Sequence, residues 1–132
     1  MDHREKVLEM TTTLASFIKH FGKVLPDDIR AKIQSLSEAE TSPMAKMTYE
    51  TMMQNQELAK KLDRPSCQDT GVIQFFARVG TKFPLIDDLP DIFRQSVLKA
   101  TEEAPLRHNS VQTFDEYNTG NNVGYRTPSV DW

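Results

Sequence analysis

The sequence predicts an α+β domain: a helical N-terminal half followed by a small mixed sheet with one covering helix. Three observations carry that prediction. Apolar residues recur every three to four positions through the first 64 residues. The period then switches to two across "VIQFFARV". The last 27 residues, from "LRHNSVQTF" onward, are rich in Asn, Gly and Thr, with only short extended pieces. With 132 residues the chain is long enough for one domain with its own core. It reads as a single domain over 1–132, helical over 1–64, with a helix, short strands and site loops over 65–132.

The first helix is read from "REKVLEMTTTLASFIKHF", where Val7, Met10, Leu14, Phe17, Ile18 and Phe21 share a stripe and Gly22 is the expected stop. The second, "LPDDIRAKIQSLSEAE", has Pro26 in its first turn, Asp27 and Asp28 at the positive end of the dipole, and Ile29, Ile33 and Leu36 on one side. The third opens with Ser42 as a cap and Pro43 at the first helical position. Its methionines read as core filling, with Met44, Met47, Met53 and Leu62 on a broad apolar side. Lys60 and Lys61 complement its C-terminal end, and Pro65 blocks continuation. In the strand, Ile73, Phe75, Ala77 and Val79 fall on one face. Asp88 then caps a fourth helix, with Pro90 in its first turn and Pro105 as its stop. The final "TPSVDW" has the character of a strand opening, as a docked terminal strand or as the edge of a longer chain.

Composition excludes several function classes. The formal net charge is -3 and no long basic run occurs, which argues against nucleic-acid binding. No apolar stretch is long enough to span a bilayer, and "MDHREKVLEM" has no apolar core of a secretory signal. A single cysteine cannot form an intrachain disulfide, so a reducing, cytoplasmic setting is expected. The acidic groups in "DDIR" and "IDDLPD" read as charge at helix N-termini rather than as metal carboxylates.

That single cysteine, Cys67, stands at the helix-to-strand join in "RPSCQDTGVIQFFARVG". An isolated free cysteine is most often a small buried hydrophobe. Its neighbours Ser66, Gln68, Asp69, Thr70 and Gly71 are not core fillers, however, and joins between elements are where scaffolds carry binding groups. A thiolate there can ligate a soft metal or attack an electrophile. Of the three histidines, His3 lies at an expected frayed terminus, His20 at a helix end, and only His108 in a loop suited to pair with Cys67. A closed zinc site is disfavoured, because there is no second cysteine.

The words "RPSCQDTGVIQFFARVG", "APLRHNSVQTFDEYNTGNNVG" and "AETSPMAKMTYETMMQN" together resemble the N-terminal part of the alpha-type catalytic region of the class I (iron–sulfur) fumarate hydratase family. The resemblance covers most of the 132 residues. It implies a hydro-lyase acting on a small hydroxy-dicarboxylate, leaning toward tartrate over malate or fumarate. It implies a [4Fe–4S] cluster held by three cysteines with one iron open to substrate, with Cys67 as one ligand. It assigns Gln68 and Asp69 to substrate contact, Asp69 also to catalysis, and Arg107 to a substrate carboxylate. These residue types suit those roles: a thiolate for iron–sulfur, a planar guanidinium fork for a carboxylate, an amide that donates or accepts, and a carboxylate that moves a proton or orients a hydroxyl. Gly71 would let the backbone turn beside the cluster, and Asn109, Asn118, Thr119 and Gly120 are candidate lining groups or ordinary turn residues.

Two of the three cluster cysteines are absent, so the chain reads as a fragment of a larger catalytic domain that would not turn over alone. The implied partners are the remainder of the alpha subunit and a beta-type subunit or domain. The competing reading from a different class is a small helical protein-interaction domain in which Cys67 is passive.

Overall fold

The computed structural model describes residues 1–67, 71–112 and 114–132. Among the described residues, four helices and two short strands follow in the order α1 (His3–Lys23), α2 (Asp27–Ala39), α3 (Pro43–Leu62), β1 (Gln74–Phe76), α4 (Leu89–Glu103) and β2 (Ser129–Asp131). This is the expected α+β arrangement. Its sheet is a two-stranded parallel pair, with Gln74 opposite Ser129, Phe75 opposite Val130 and Phe76 opposite Asp131.

The start of α1 is fixed by a capping box. The Asp2 carboxylate accepts from the Glu5 amide at 2.8 Å, and the Glu5 carboxylate accepts from the Asp2 amide at 2.7 Å. His3 is therefore held in a capped first turn rather than frayed, and its Nε2 lies 3.1 Å from an Asp88 oxygen at the start of α4. Gly22 does not stop the helix, which runs on to Lys23 with Val24 as its C-cap. Pro26 is the N-cap of α2 and the helical residues begin at Asp27, placing both aspartates in the first turn. Ser42 and Asp88 occupy the N-cap positions of α3 and α4, but neither side chain bonds back to its helix.

The core lies between α1, α4 and the inner face of the strand region. The contact of α1 with α4 is the most extensive between helices. Ala15 and Ala100 are fully buried in one cluster with Ala104 and Leu106, and Ile18 and Ile73 pack onto it. Small side chains there let the two helices approach closely. A second cluster holds Leu85, Leu89, Ile92 and Phe93, covered by Val7, Met10 and Leu14 from α1 and by Phe75, Ala77, Val79 and Val130. The period-two reading of the strand region holds: Ile73, Phe75, Ala77 and Val79 face inward, while Val72, Gln74, Phe76 and Arg78 are exposed. Phe75 stacks on Phe93 with ring centroids 4.4 Å apart. Ser96 is completely buried between α1 and α4, its Oγ 2.6 Å from the Ile92 carbonyl and 3.1 Å from the Thr11 carbonyl. Its polarity is satisfied without water.

Three expectations from apolar spacing are corrected. Phe17 and Phe21 are exposed on α1, outside the stripe that meets α4. The apolar side read on α3 is not core: Met44, Met47 and Leu62 are exposed, Met53 is half-buried, and only Gln56 and Ala59 are buried on that helix. The same holds for α2, which buries no residue and leaves Ile29 and Leu36 exposed. Amphipathic spacing reports a face that is apolar, not which surface covers it.

Replacing Ile92 by Ala removes a fully buried side chain between α1 and α4, and a loss of about 2–5 kcal/mol of stability is expected. The exposed Met44 changed to Ala should move stability by less than about 0.5 kcal/mol. Urea unfolding of the two variants checks both values.

A second expectation concerns pH. Glu103 accepts from Lys19 at 2.9 Å and pairs with Lys99 at 3.0 Å, and the Lys19 hydrogen bond, followed by that of Lys99, holds its carboxyl below the usual range. A lowered folded-state pKa contributes stability above the ordinary carboxylate value of about 4, and that contribution fades as pH falls through the lowered value. Glu103→Gln should therefore lower the thermal midpoint slightly at pH 7 and low salt, with the difference vanishing in acid and shrinking in high salt. Thermal melts at the two pH values and two ionic strengths provide the check.

Candidate functional site

The segment carrying Cys67 is fixed from behind by the end of α3. Asp63 closes the helix in a left-handed conformation (φ 53°), and the Arg64 amide donates back to the Ala59 carbonyl at 3.0 Å. Pro65 then turns the chain away. The Ser66 amide donates to the Gly22 carbonyl at 3.0 Å, and the Asn55 side-chain amide donates to the Ser66 carbonyl. Both backbone groups of the residue before Cys67 are thus tied down, one to the end of α1 and one to α3. The Cys67 thiol itself is exposed, which sets aside the buried-hydrophobe reading.

The opposite wall begins where α4 ends. Ala104 is the C-cap, Pro105 has a positive φ of 20°, and Leu106 is buried in the cluster with Ala15 and Ala100. Arg107 follows that anchor. Beyond it the chain forms a hairpin, with an antiparallel bridge between Val111 and Asn118 and a 2.7 Å bond from the Gln112 amide to the Tyr117 carbonyl. The Asn118 Nδ2 donates to the His108 carbonyl at 2.7 Å, and its Oδ1 accepts from the Gly120 amide at 2.8 Å.

Arg64, Pro65, Cys67, Pro105 and Arg107 line one open cleft of about 550 Å³. The structure therefore brings together two residues singled out from sequence, Cys67 and Arg107, which are forty positions apart (107 − 67). It adds Arg64, to which the sequence reading gave no role although it stands in the same word. Both charged side chains among the described lining residues are guanidinium groups, so the cleft favours an anion beside an accessible thiol. Gln68 and Asp69 lie outside the described residues. Gly71, four positions beyond Cys67, has a φ of 63°, a conformation glycine adopts without strain.

The lining of this cleft does not include Asn109, Asn118, Thr119 or Gly120. Asn118 and Gly120 build the turn, and the Thr119 amide donates to the Ser110 carbonyl at 3.0 Å. His108 is exposed but does not line the cleft, and His20 sits in the last turn of α1 as a dipole complement. Among the described residues no three His, Cys, Asp or Glu side chains gather as a metal-ligand set. Cys67 suits iron–sulfur ligation as a single exposed thiol in a cationic cleft, which supplies one ligand and no more. No helix among the described residues is long and apolar enough to cross a membrane.

The family model described as fumarate hydratase (Fumerase) matches residues 11–132. The L(+)-tartrate dehydratase subunit alpha of Escherichia coli (strain K12) is 46% identical over 129 residues, covering 98% of this chain and 43% of that protein. The same subunit of Shigella sonnei (strain Ss046) gives the same identity and coverage. A Methanocaldococcus jannaschii protein that carries this subunit name in provisional form is 28% identical over 126 residues, covering 94% of this chain and 44% of its own. The chain thus spans less than half the length of the curated relatives it matches. It belongs to the fumarate hydratase (Fumerase) family, as a homologue of the L(+)-tartrate dehydratase alpha subunit.

Proposed function

We propose that this chain is the N-terminal part of an iron–sulfur hydro-lyase that reversibly removes water from a small hydroxy-dicarboxylate, with L-tartrate converted to oxaloacetate. The observation that carries the reading is one open cleft lined by the exposed Cys67 together with Arg64 and Arg107. A dianionic substrate needs cationic partners with planar donor forks, and these two side chains provide them. The relatives' name favours tartrate, while the family's own name keeps malate and fumarate as the second substrate pair.

In this proposal Cys67 as thiolate is one of three ligands to a [4Fe–4S] cluster, and the other two cysteines come from outside these 132 residues, since the sequence holds only one. When bound, the cluster supplies a Lewis-acidic iron that polarises a hydroxyl and a carboxylate oxygen. Arg107 grips one substrate carboxylate, and Gln68 hydrogen-bonds the same molecule. Asp69 is the residue we assign to moving a proton or orienting the leaving hydroxyl. The balance is that of simple dehydration: a C–H proton and the neighbouring hydroxyl leave as water, and the enol product tautomerises to the keto acid. The remainder of the alpha subunit and a beta-type subunit complete the site. Met44, Met47, Phe76 and Phe114 are large apolar side chains left exposed, of the kind that covering partners bury. A reducing, cytoplasmic setting suits an exposed thiol of this kind.

Assembled with the complete alpha subunit and its partner and loaded with iron and sulfide anaerobically, the protein should dehydrate L-tartrate. Cys67→Ser should abolish that activity and the visible cluster absorbance together. Full activity in the Cys67→Ser assembly would falsify the ligand assignment. Arg107→Ala should lower kcat/KM by about 10- to 100-fold, the size of a lost charge-assisted hydrogen bond, mainly through KM. Steady-state kinetics on L-tartrate and on malate decide both the role and the preferred substrate.

A further inference from the structure

Asn122 is 4% exposed, lies in a left-handed conformation (φ 61°), and sits far along the chain from both walls of the cleft. Its Oδ1 accepts from the Asn109 amide at 2.7 Å. Its Nδ2 donates to the Thr101 hydroxyl at 3.2 Å, and that hydroxyl donates to the Val97 carbonyl within α4 at 2.8 Å. Asn109 in turn donates from its Nδ2 to the Gly71 carbonyl at 3.2 Å. One buried amide therefore joins α4 to the segment that follows Arg107. The next side chain in the line joins that segment to the glycine closing the Cys67 word. A polar network that is buried at Asn122 and Thr101 and opens toward Asn109 and Gly71 fixes a geometry that apolar packing alone would leave adjustable.

We infer that Asn122 is a positioning residue, setting the separation between the Arg107 wall and the Cys67 wall so that a dicarboxylate can span them; this rests on the hydro-lyase reading above. Asn122 touches neither substrate nor cluster. It acts through the Asn109 backbone, two residues from Arg107, and its loss should be felt in substrate grip more than in the chemical step. Asparagine fits the position on two counts. It tolerates the left-handed backbone better than most residues, and its amide provides the acceptor and the donor that the two partners require.

The test uses the complete cluster-loaded assembly. Asn122→Gly removes the side chain while glycine accepts the positive φ without strain. Asn122→Asp keeps the acceptor for the Asn109 amide, and the Thr101 hydroxyl can turn to donate to it. For Asn122→Gly the expected result is amide exchange at Asn109 faster by about 10-fold or more, as for an amide losing a protecting bond. KM for L-tartrate should rise by about 10-fold, the size of one lost hydrogen bond, with kcat and cluster absorbance near wild type. Asn122→Asp should restore both readouts to within about threefold on the same scale. An Asn122→Gly assembly with unchanged KM, or with a lowered melting point as its only defect, overturns the inference. If Asn122→Gly does not assemble, Thr101→Val frees only the α4 end and should raise KM and exchange in the same direction. Unchanged values there overturn the inference equally. A wild-type assembly inactive on every dicarboxylate refutes the hydro-lyase reading instead, and the exchange measurement still decides whether Asn122 holds the Asn109 segment.

Discussion

The close approach of α1 and α4 through Ala15 and Ala100 is the constraint on which the rest of the structure depends. Leu106 belongs to that same cluster and immediately precedes Arg107, while Ile73 packs onto it two residues past Gly71. One apolar contact therefore anchors the chain on both sides of the cleft. A larger residue at either alanine would force the helices apart, and interiors packed at crystal-like density transmit such a shift rather than absorb it. The site loops need no extended secondary structure of their own, because their ends are pinned to the stiffest part of the molecule.

Around this apolar anchor the polar groups divide the remaining work. Ser66 is held by the Gly22 carbonyl and by Asn55, so the direction in which the backbone enters Cys67 is set by α1 and α3 together. Asn118 and Gly120 shape the hairpin that follows Arg107. The result is a shallow cationic opening rather than a closed chamber. The chain spans less than half of its relatives' length.

Much of this was legible in the sequence, for identifiable reasons. Helix boundaries marked by Pro43, Pro65 and Pro105 could be read directly, because proline's missing donor acts locally. The inward face of Ile73, Phe75, Ala77 and Val79 followed from period two alone. The exposed methionines of α3 and the exposed Phe17 and Phe21 were not legible, since burial depends on which neighbour arrives and not on spacing. Cys67 and Arg107 stood out as words, but their meeting in one cleft depends on how α3 and α4 end in space. Asn122 was hidden for the same reason. An asparagine in "NTGNN" looks like any turn residue until its amide is seen reaching Thr101 of α4. Gln68 and Asp69 lie outside the described residues, so the structure adds nothing to what the sequence said of them.

The parallel pairing of β1 with β2 has a kinetic consequence. Gln74 and Ser129 are 55 residues apart (129 − 74), and everything from α4 to the asparagine-rich hairpin lies inside the loop their pairing closes. Closing so long a loop is entropically costly and slow compared with helix formation. During synthesis the helices can form and meet before the second strand has left the ribosome, and Phe75 and Phe76 wait meanwhile without a neighbouring strand. The nascent chain therefore carries an open, aromatic strand edge for the time needed to make those 55 residues, and that interval is when it most needs shielding from other chains.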